Sequence, residues 1–71
     1  ALILPIAPID RIARLDIDDR FRVAEDARFV LGEILEAFAT EAAEGASILA
    51  EHAGRRTIQA EDIETYFRLV E

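Results

Sequence analysis

A short loop rich in cationic and hydroxyl groups is the part of this chain whose chemistry is easiest to infer. Residues 52–62 read HAGRRTIQAED, so two adjacent arginines and a threonine follow Gly54 and precede an acidic stretch. Guanidinium groups, a hydroxyl and backbone N–H groups brought together in one loop are suited to holding phosphate oxygens. The sequence therefore offers Arg55, Arg56 and Thr57 as candidate residues at a phosphate backbone.

The charge of the whole chain opposes contact with a polyanion. Its 71 residues include 8 arginines, no lysine and 15 acids, which give a formal net charge of −7. Residues 31–54 carry −5 of this charge, whereas residues 1–30 and 55–71 each carry only −1. A local positive ridge over an acidic body is therefore compatible with the sequence. An acidic, lysine-free surface also suits molar salt, where the screening length is about 3 Å. The alternative is an ordinary acidic domain that binds a protein partner.

Length and composition restrict the class of protein. A chain of 71 residues forms one small domain, and such a domain buries only about 60% of its unfolded surface. No cysteine and a single histidine are present, so we predict no disulfide, no metal site, no cofactor and no enzymatic activity. A membrane span and a signal peptide are not expected, and we predict a cytoplasmic location. The first residue is alanine, which indicates either removal of an initiator methionine or a segment of a longer protein.

Hydrophobic spacing predicts three helices. Pro5 and Pro8 should keep the first residues extended, and a short amphipathic helix should then run over residues 8–16. A polar loop follows at 17–22, and one helix of about thirty residues is expected over 24–53, roughly 45 Å long.

The second loop separates the long helix from a third helix. Gly54 should end the long helix, and the last helix is predicted over residues 59–69. The order is thus short helix, long helix, short helix, in an all-α chain.

The long helix has an apolar stripe that one chain is too small to cover. Its acidic residues project onto the opposite face: Glu33, Glu36, Glu41, Glu44 and Glu51. Two copies crossing at the midpoints of their long helices would cover the stripe, each packing its short helices on the other. Ala42, Gly45 and Ala46 near the helix centre are expected to permit this close crossing.

Two motifs resemble archaeal histones. Residues 4–12 read LPIAPIDRI, and the second loop reads GRRTI. Residues 60–67, AEDIETYF, are most similar to the second half of the fused two-histone proteins of salt-loving archaea. The resemblance covers residues 4 to about 69. It implies a single histone-fold domain over 1–71, an intertwined handshake dimer, and an architectural chromatin protein that binds and bends duplex DNA without sequence specificity.

The resemblance also assigns roles to individual residues. The DNA-binding positions it implies are Arg11, Arg22, Arg56 and Thr57, and Arg14 joins them because it lies on the first helix with Arg11. In the implied dimer the first loop of one chain, with Arg22, lies beside the second loop of the other.

The loop arginines are also open to an interpretation without DNA. The alternative is that the loop arginines only pair at the surface with Asp16, Asp18 and Asp19. Arg20 and Arg28 are expected to be solvated.

Three further roles follow from the same resemblance. Arg55 should form an ion pair with Asp62 that fixes the second loop. Leu49, His52 and Asp62 match positions of a dimer–dimer contact, which predicts a higher oligomer. The partner chain is a second copy or another histone fold fused to it in the natural protein. Asp10 is a departure from the pattern, because it adds a negative charge beside Arg11.

The sequence is compatible with two functions. The first is the DNA-binding histone associated with the chromosome. The second is a histone-fold module, as in transcription complexes, that pairs with protein and whose acidic face excludes DNA. The arginine loops favour the first function and the net charge of −7 favours the second.

Overall fold

The computed structural model describes residues 3–71, which form three α-helices. They are α1 (Ile6–Ala13), α2 (Glu25–His52) and α3 (Ala60–Val70), and no β-strand occurs within the described residues. The predicted all-α order of short, long and short helix is confirmed. At 28 residues, α2 is about 42 Å long. The part of the predicted extended N-terminus formed by residues 1–2 lies outside the described residues.

The chain divides into two compact units, Ala1–Ala37 and Phe38–Glu71. The long helix contributes residues to both units. Among residues 3–71 no helix is both long and apolar enough to cross a membrane.

Helix α1 begins two residues earlier and ends three residues earlier than predicted. Pro5 is the residue that precedes it, with φ −64° and ψ 147°. Pro8 then lies in the first turn, where a backbone N–H has no helical acceptor and its absence costs little. At the other end, the N–H groups of Arg14 and Leu15 donate to carbonyls three residues back, at 3.3 and 3.2 Å. The last turn is therefore tightened, and the helix ends before Asp16.

The ends of α2 agree closely with the prediction. At its start, the Arg28 N–H donates to the Ala24 carbonyl at 3.1 Å, which makes Ala24 the capping residue although its side chain has no acceptor. At its end, Gly54 has a positive φ of 75°. The Gly54 N–H donates to Glu51 O and the Arg55 N–H to Ala50 O, both at 2.9 Å. These two bonds form a Schellman motif, so Gly54 ends the helix as expected.

In the unit Ala1–Ala37, a glutamate of the long helix holds the N-terminal segment. Ile9 is 1% exposed and is the buried apolar residue of α1. The N–H groups of Ile3 and Leu4 donate to one carboxylate oxygen of Glu36 at 2.6 and 2.7 Å. The carboxylate of Glu36 thus fixes the backbone of the segment before α1, a contact that the projection of the long helix did not predict.

In the unit Phe38–Glu71, α3 packs on a row of small residues of α2. Ala42, Ala46 and Ala50 are buried, and Gly45 lies directly against the ring of Tyr66. The rings of Phe38 and Phe67 are 5.3 Å apart between centroids. The expectation that Gly45 serves the crossing with a second chain is wrong, because the space beside it is filled by Tyr66 of the same chain.

Candidate nucleic-acid interface

The second loop is held in place by Arg55. Its backbone N–H is fixed by the Schellman bond to Ala50. Its guanidinium donates from Nη1 to Asp62 Oδ2 at 2.9 Å and from Nη2 to Asp62 Oδ1 at 2.8 Å. Nη1 also donates to the carbonyl oxygen of Thr57 at 2.9 Å. One residue, through its backbone N–H and its side chain, thus ties the end of α2, the middle of the loop and the first turn of α3 together.

Asp62 has a second role that sequence reasoning missed. It is 4% exposed, and its Oδ2 accepts the backbone N–H of Gln59, the residue before α3, at 2.7 Å. The hydrogen bonds from Arg55 and then from Gln59 lower the pKa of Asp62 to about 2. The spacing of Gln59 and Asp62 is that of a residue capping a helix start from its third position, which is the signal that could have revealed this bond.

The other donors of the second loop are unused. The side chains of Arg56 and Thr57 are exposed, and within residues 3–71 neither forms a hydrogen bond or an ion pair. The backbone N–H groups of Arg56, Thr57 and Ile58 likewise donate to no acceptor among the described residues. The loop also borders a cleft of about 710 Å³, whose wall includes the carboxylate-bearing Glu51. The anchored loop therefore carries an exposed guanidinium, an exposed hydroxyl and three consecutive N–H groups without an acceptor among residues 3–71.

The first loop contains one paired and one unpaired arginine. Arg20 donates to Asp18 through Nε at 3.1 Å and Nη2 at 3.0 Å, and these bonds lower the pKa of Asp18. The predicted alternative of pairing with loop aspartates thus applies to Arg20. Arg22 is exposed and has no ion pair within the described part of the chain. It lies in Ala1–Ala37 and Arg56 in Phe38–Glu71, and their approach across a dimer stays a prediction.

On α1 the structure separates the two candidate arginines. Arg11 is exposed and has no ion pair among residues 3–71. Arg14 donates through Nε to both oxygens of Asp10 at 3.0 Å. Arg28 also contacts Asp10, with Nε 3.2 Å from Oδ1, and donates to the carbonyl oxygen of Val23 at 3.2 Å.

One expectation is corrected by these contacts. Arg28 is not a freely solvated residue, because it pairs with Asp10, which also pairs with Arg14. The Asp10–Arg14 pair has the four-residue spacing that a sequence reveals. The contact with Arg28 depends on packing and has no such signal.

The residues assigned to a dimer–dimer contact differ in accessibility. His52 is exposed at the last position of α2, and Leu49 is half-buried. Both oxygens of Asp62 already accept bonds from Arg55 and Gln59 within the chain. The role of these three residues in assembly stays a prediction.

Comparison with known proteins agrees with this architecture. The family model described as "Histone-like transcription factor (CBF/NF-Y) and archaeal histone" matches residues 2–65. The chain belongs to this family. Its all-α architecture, with a long central helix between two shorter ones, is the histone fold.

One relative with a similar sequence is an archaeal histone. The chain is 50% identical over 60 residues to a subunit of the archaeal histone HAN1 from Thermococcus zilligii, and the match covers 84% of this chain and 87% of that protein. The suspected membership of the archaeal histone family is confirmed by both findings. The finer likeness to fused two-histone proteins of salt-loving archaea stays a prediction.

Proposed function

We propose that this histone-fold chain is an architectural chromatin protein that binds and bends duplex DNA without reading its sequence. One observation carries the proposal: the second loop is anchored through Arg55, while the donors of Arg56 and Thr57 remain unused and exposed. Because the loop backbone is already held by Arg55, its N–H groups lose little conformational entropy when a phosphate binds. Backbone N–H groups and an arginine contact phosphates and the minor groove without identifying bases.

The arginines without an ion pair also support DNA binding. In residues 3–71, Arg11, Arg22 and Arg56 are exposed and form no ion pair, and all three are positions that the archaeal histone resemblance assigns to DNA. An arginine whose Nε and Nη2 both bind a carboxylate, as in Arg20, would have to break that pair to bind a phosphate through the same edge. Each phosphate neutralised adds to affinity through counterion release. The acidic excess lies on residues 31–54, which contain none of these three positions.

A second histone fold would complete the core. On α2, Phe29 and Val30 in the first unit are 43% and 52% exposed, and Phe38 and Ile48 in the second are 47% and 58% exposed. Large apolar side chains in such exposed positions are typical of an interface. The partner is a second copy of this chain or a histone fold joined to it, and in the dimer the paired arginine loops form one DNA-binding ridge.

The same proposal extends to contacts between dimers and to the place of the protein in the cell. Contact between dimers through Leu49 and His52 would extend the protein along DNA, with association to the chromosome as the result. The acidic, lysine-free composition suits a salt-rich cell.

The test is fluorescence anisotropy of a labelled duplex of about sixty base pairs, titrated with protein between about 0.1 and 3 M KCl. Circular dichroism at each salt concentration establishes that the protein is folded. We expect saturable binding that weakens linearly on a log–log plot of affinity against salt. A folded protein that binds at no salt concentration would contradict the proposal and favour a protein-pairing module.

A double variant tests the loop itself. Arg56→Ala with Thr57→Ala should weaken binding and lower the salt slope by about 0.9 for each phosphate that the loop no longer neutralises. The matched control is Arg68→Ala, which removes an arginine that is also exposed and without an ion pair in the described residues. Equal reductions of affinity in both variants would show that net charge, not the loop, determines binding.

A further inference from the structure

Asp10 brings two guanidinium groups together on the surface of the first unit. Arg14 lies at the end of α1 and Arg28 in the first turns of α2. Arg14 Nε is 3.0 Å and Arg28 Nε 3.2 Å from the same oxygen, Oδ1 of Asp10. Because both nitrogens contact one atom, they are at most about 6 Å apart, as the distances of 3.0 and 3.2 Å require.

Each of these arginines has most of its donors unused. Arg14 uses only Nε, and Arg28 uses only Nε, toward Asp10 and the Val23 carbonyl. Within the described residues the Nη1 and Nη2 groups of both donate to no acceptor. The edge of a guanidinium formed by Nη1 and Nη2 is one that binds phosphate in a bidentate manner. Arg20 differs, since Asp18 occupies both its Nε and Nη2.

The surroundings of the pair favour an anion. Arg14 and Arg28 line a cleft of about 850 Å³ together with Arg11, and Asp10 is its one carboxylate. Three guanidinium groups against one carboxylate leave a net charge of +2 in a chain whose total is −7. Asp10 reduces the local charge, but it also holds two long side chains that would otherwise lose conformational entropy on binding.

We propose that Arg14 and Arg28 form a single phosphate-binding site, with Asp10 as the residue that positions both guanidinium groups. The site adds Arg28 to the DNA contacts and takes one phosphate of the duplex backbone per chain. This assignment rests on the proposed function. Because two arginines serve one phosphate, their contributions to the salt dependence are coupled rather than additive.

The salt slope of DNA binding distinguishes this role from a structural one. Arg28→Gln should lower the slope by about 0.9 per chain, the value for one phosphate. Arg14→Gln should do the same, and it disturbs no backbone hydrogen bond, so it reports on the site even if Arg28→Gln is poorly folded. The double variant should equal each single variant. Arg20→Gln is the matched control, because it removes the same charge from an arginine whose pairing with its carboxylate is complete, and it should leave the slope unchanged.

Several results would overturn the inference. A slope unchanged in Arg28→Gln, with a lowered melting temperature, would reduce Arg28 to a structural residue. Additive reductions of the slope in the double variant would mean two separate phosphates. An equal reduction in Arg20→Gln would mean a general charge effect.

A measurement without DNA separates this site from the proposed function. Titration of inorganic phosphate, followed by NMR of the arginine Nε–H signals, should shift those of Arg14 and Arg28 but not that of Arg20. Such shifts in a protein that fails to bind DNA would support the anion site and contradict the chromatin role. DNA binding by the wild type, with no NMR shift and no change of salt slope in the variants, would support the chromatin role and contradict the anion site.

Discussion

Replacement of Gly45 by alanine tests the packing of α3 on α2. A Cβ at position 45 would lie well inside the van der Waals contact distance of Tyr66 Cδ1 and Cε1, and 3.2 Å from Cγ. These atoms form one edge of a rigid ring that begins at its attachment point Cγ, so relief requires movement of the whole ring and of α3 rather than a small rotation. Overpacking of this kind costs up to about 3 kcal/mol, against a gain of about 1 kcal/mol in helix propensity. We expect a net destabilisation of about 2 kcal/mol.

Denaturant unfolding followed by circular dichroism measures this effect. Wild type and Gly45→Ala must be compared at one protein concentration, because the stability of a dimer depends on concentration. The same substitution in a Tyr66→Ala background is the control. With the ring removed, alanine should stabilise the helix by about 1 kcal/mol, so the sign of the effect should reverse. A Gly45→Ala protein that is more stable than wild type would refute the reasoning.

Two further predictions concern helix starts. Ala24→Ser supplies the capping oxygen that α2 lacks and should stabilise the protein by about 1 kcal/mol, measured as a shift in urea midpoint; an unchanged midpoint would contradict the capping geometry. The pKa of Asp62, about 2, is below its ordinary value of 3.8. Its hydrogen bonds therefore contribute stability that is complete above pH 3.8 and disappears as the pH falls through about 2. Urea midpoints measured from about pH 5 to 2 should fall less steeply in Asp62→Asn than in wild type, and parallel curves would exclude Asp62 as a source of the acid sensitivity.

Local signals determined most of the fold. Helical spacing of apolar residues and the left-handed Gly54 placed α2 within a residue or two of its observed ends, because both signals act over a single helical turn. The limits of α1 were less well predicted. Pro8 is compatible with any position in a first turn, so it does not fix the first residue of that helix.

The candidate site divides in the same way. The sequence by itself predicted the order of short, long and short helix. It also located the second loop, because GRRTI is a contiguous motif and a glycine directly after a long helix commonly ends that helix. The sharing of Asp10 by Arg14 and Arg28, the packing of Tyr66 against Gly45 and the binding of two N–H groups by Glu36 were decided only by the tertiary structure. Each joins residues more than ten positions apart in at least one contact. Such contacts depend on how the helices pack, and neither the hydrophobic periodicity nor the composition of the sequence predicts that packing.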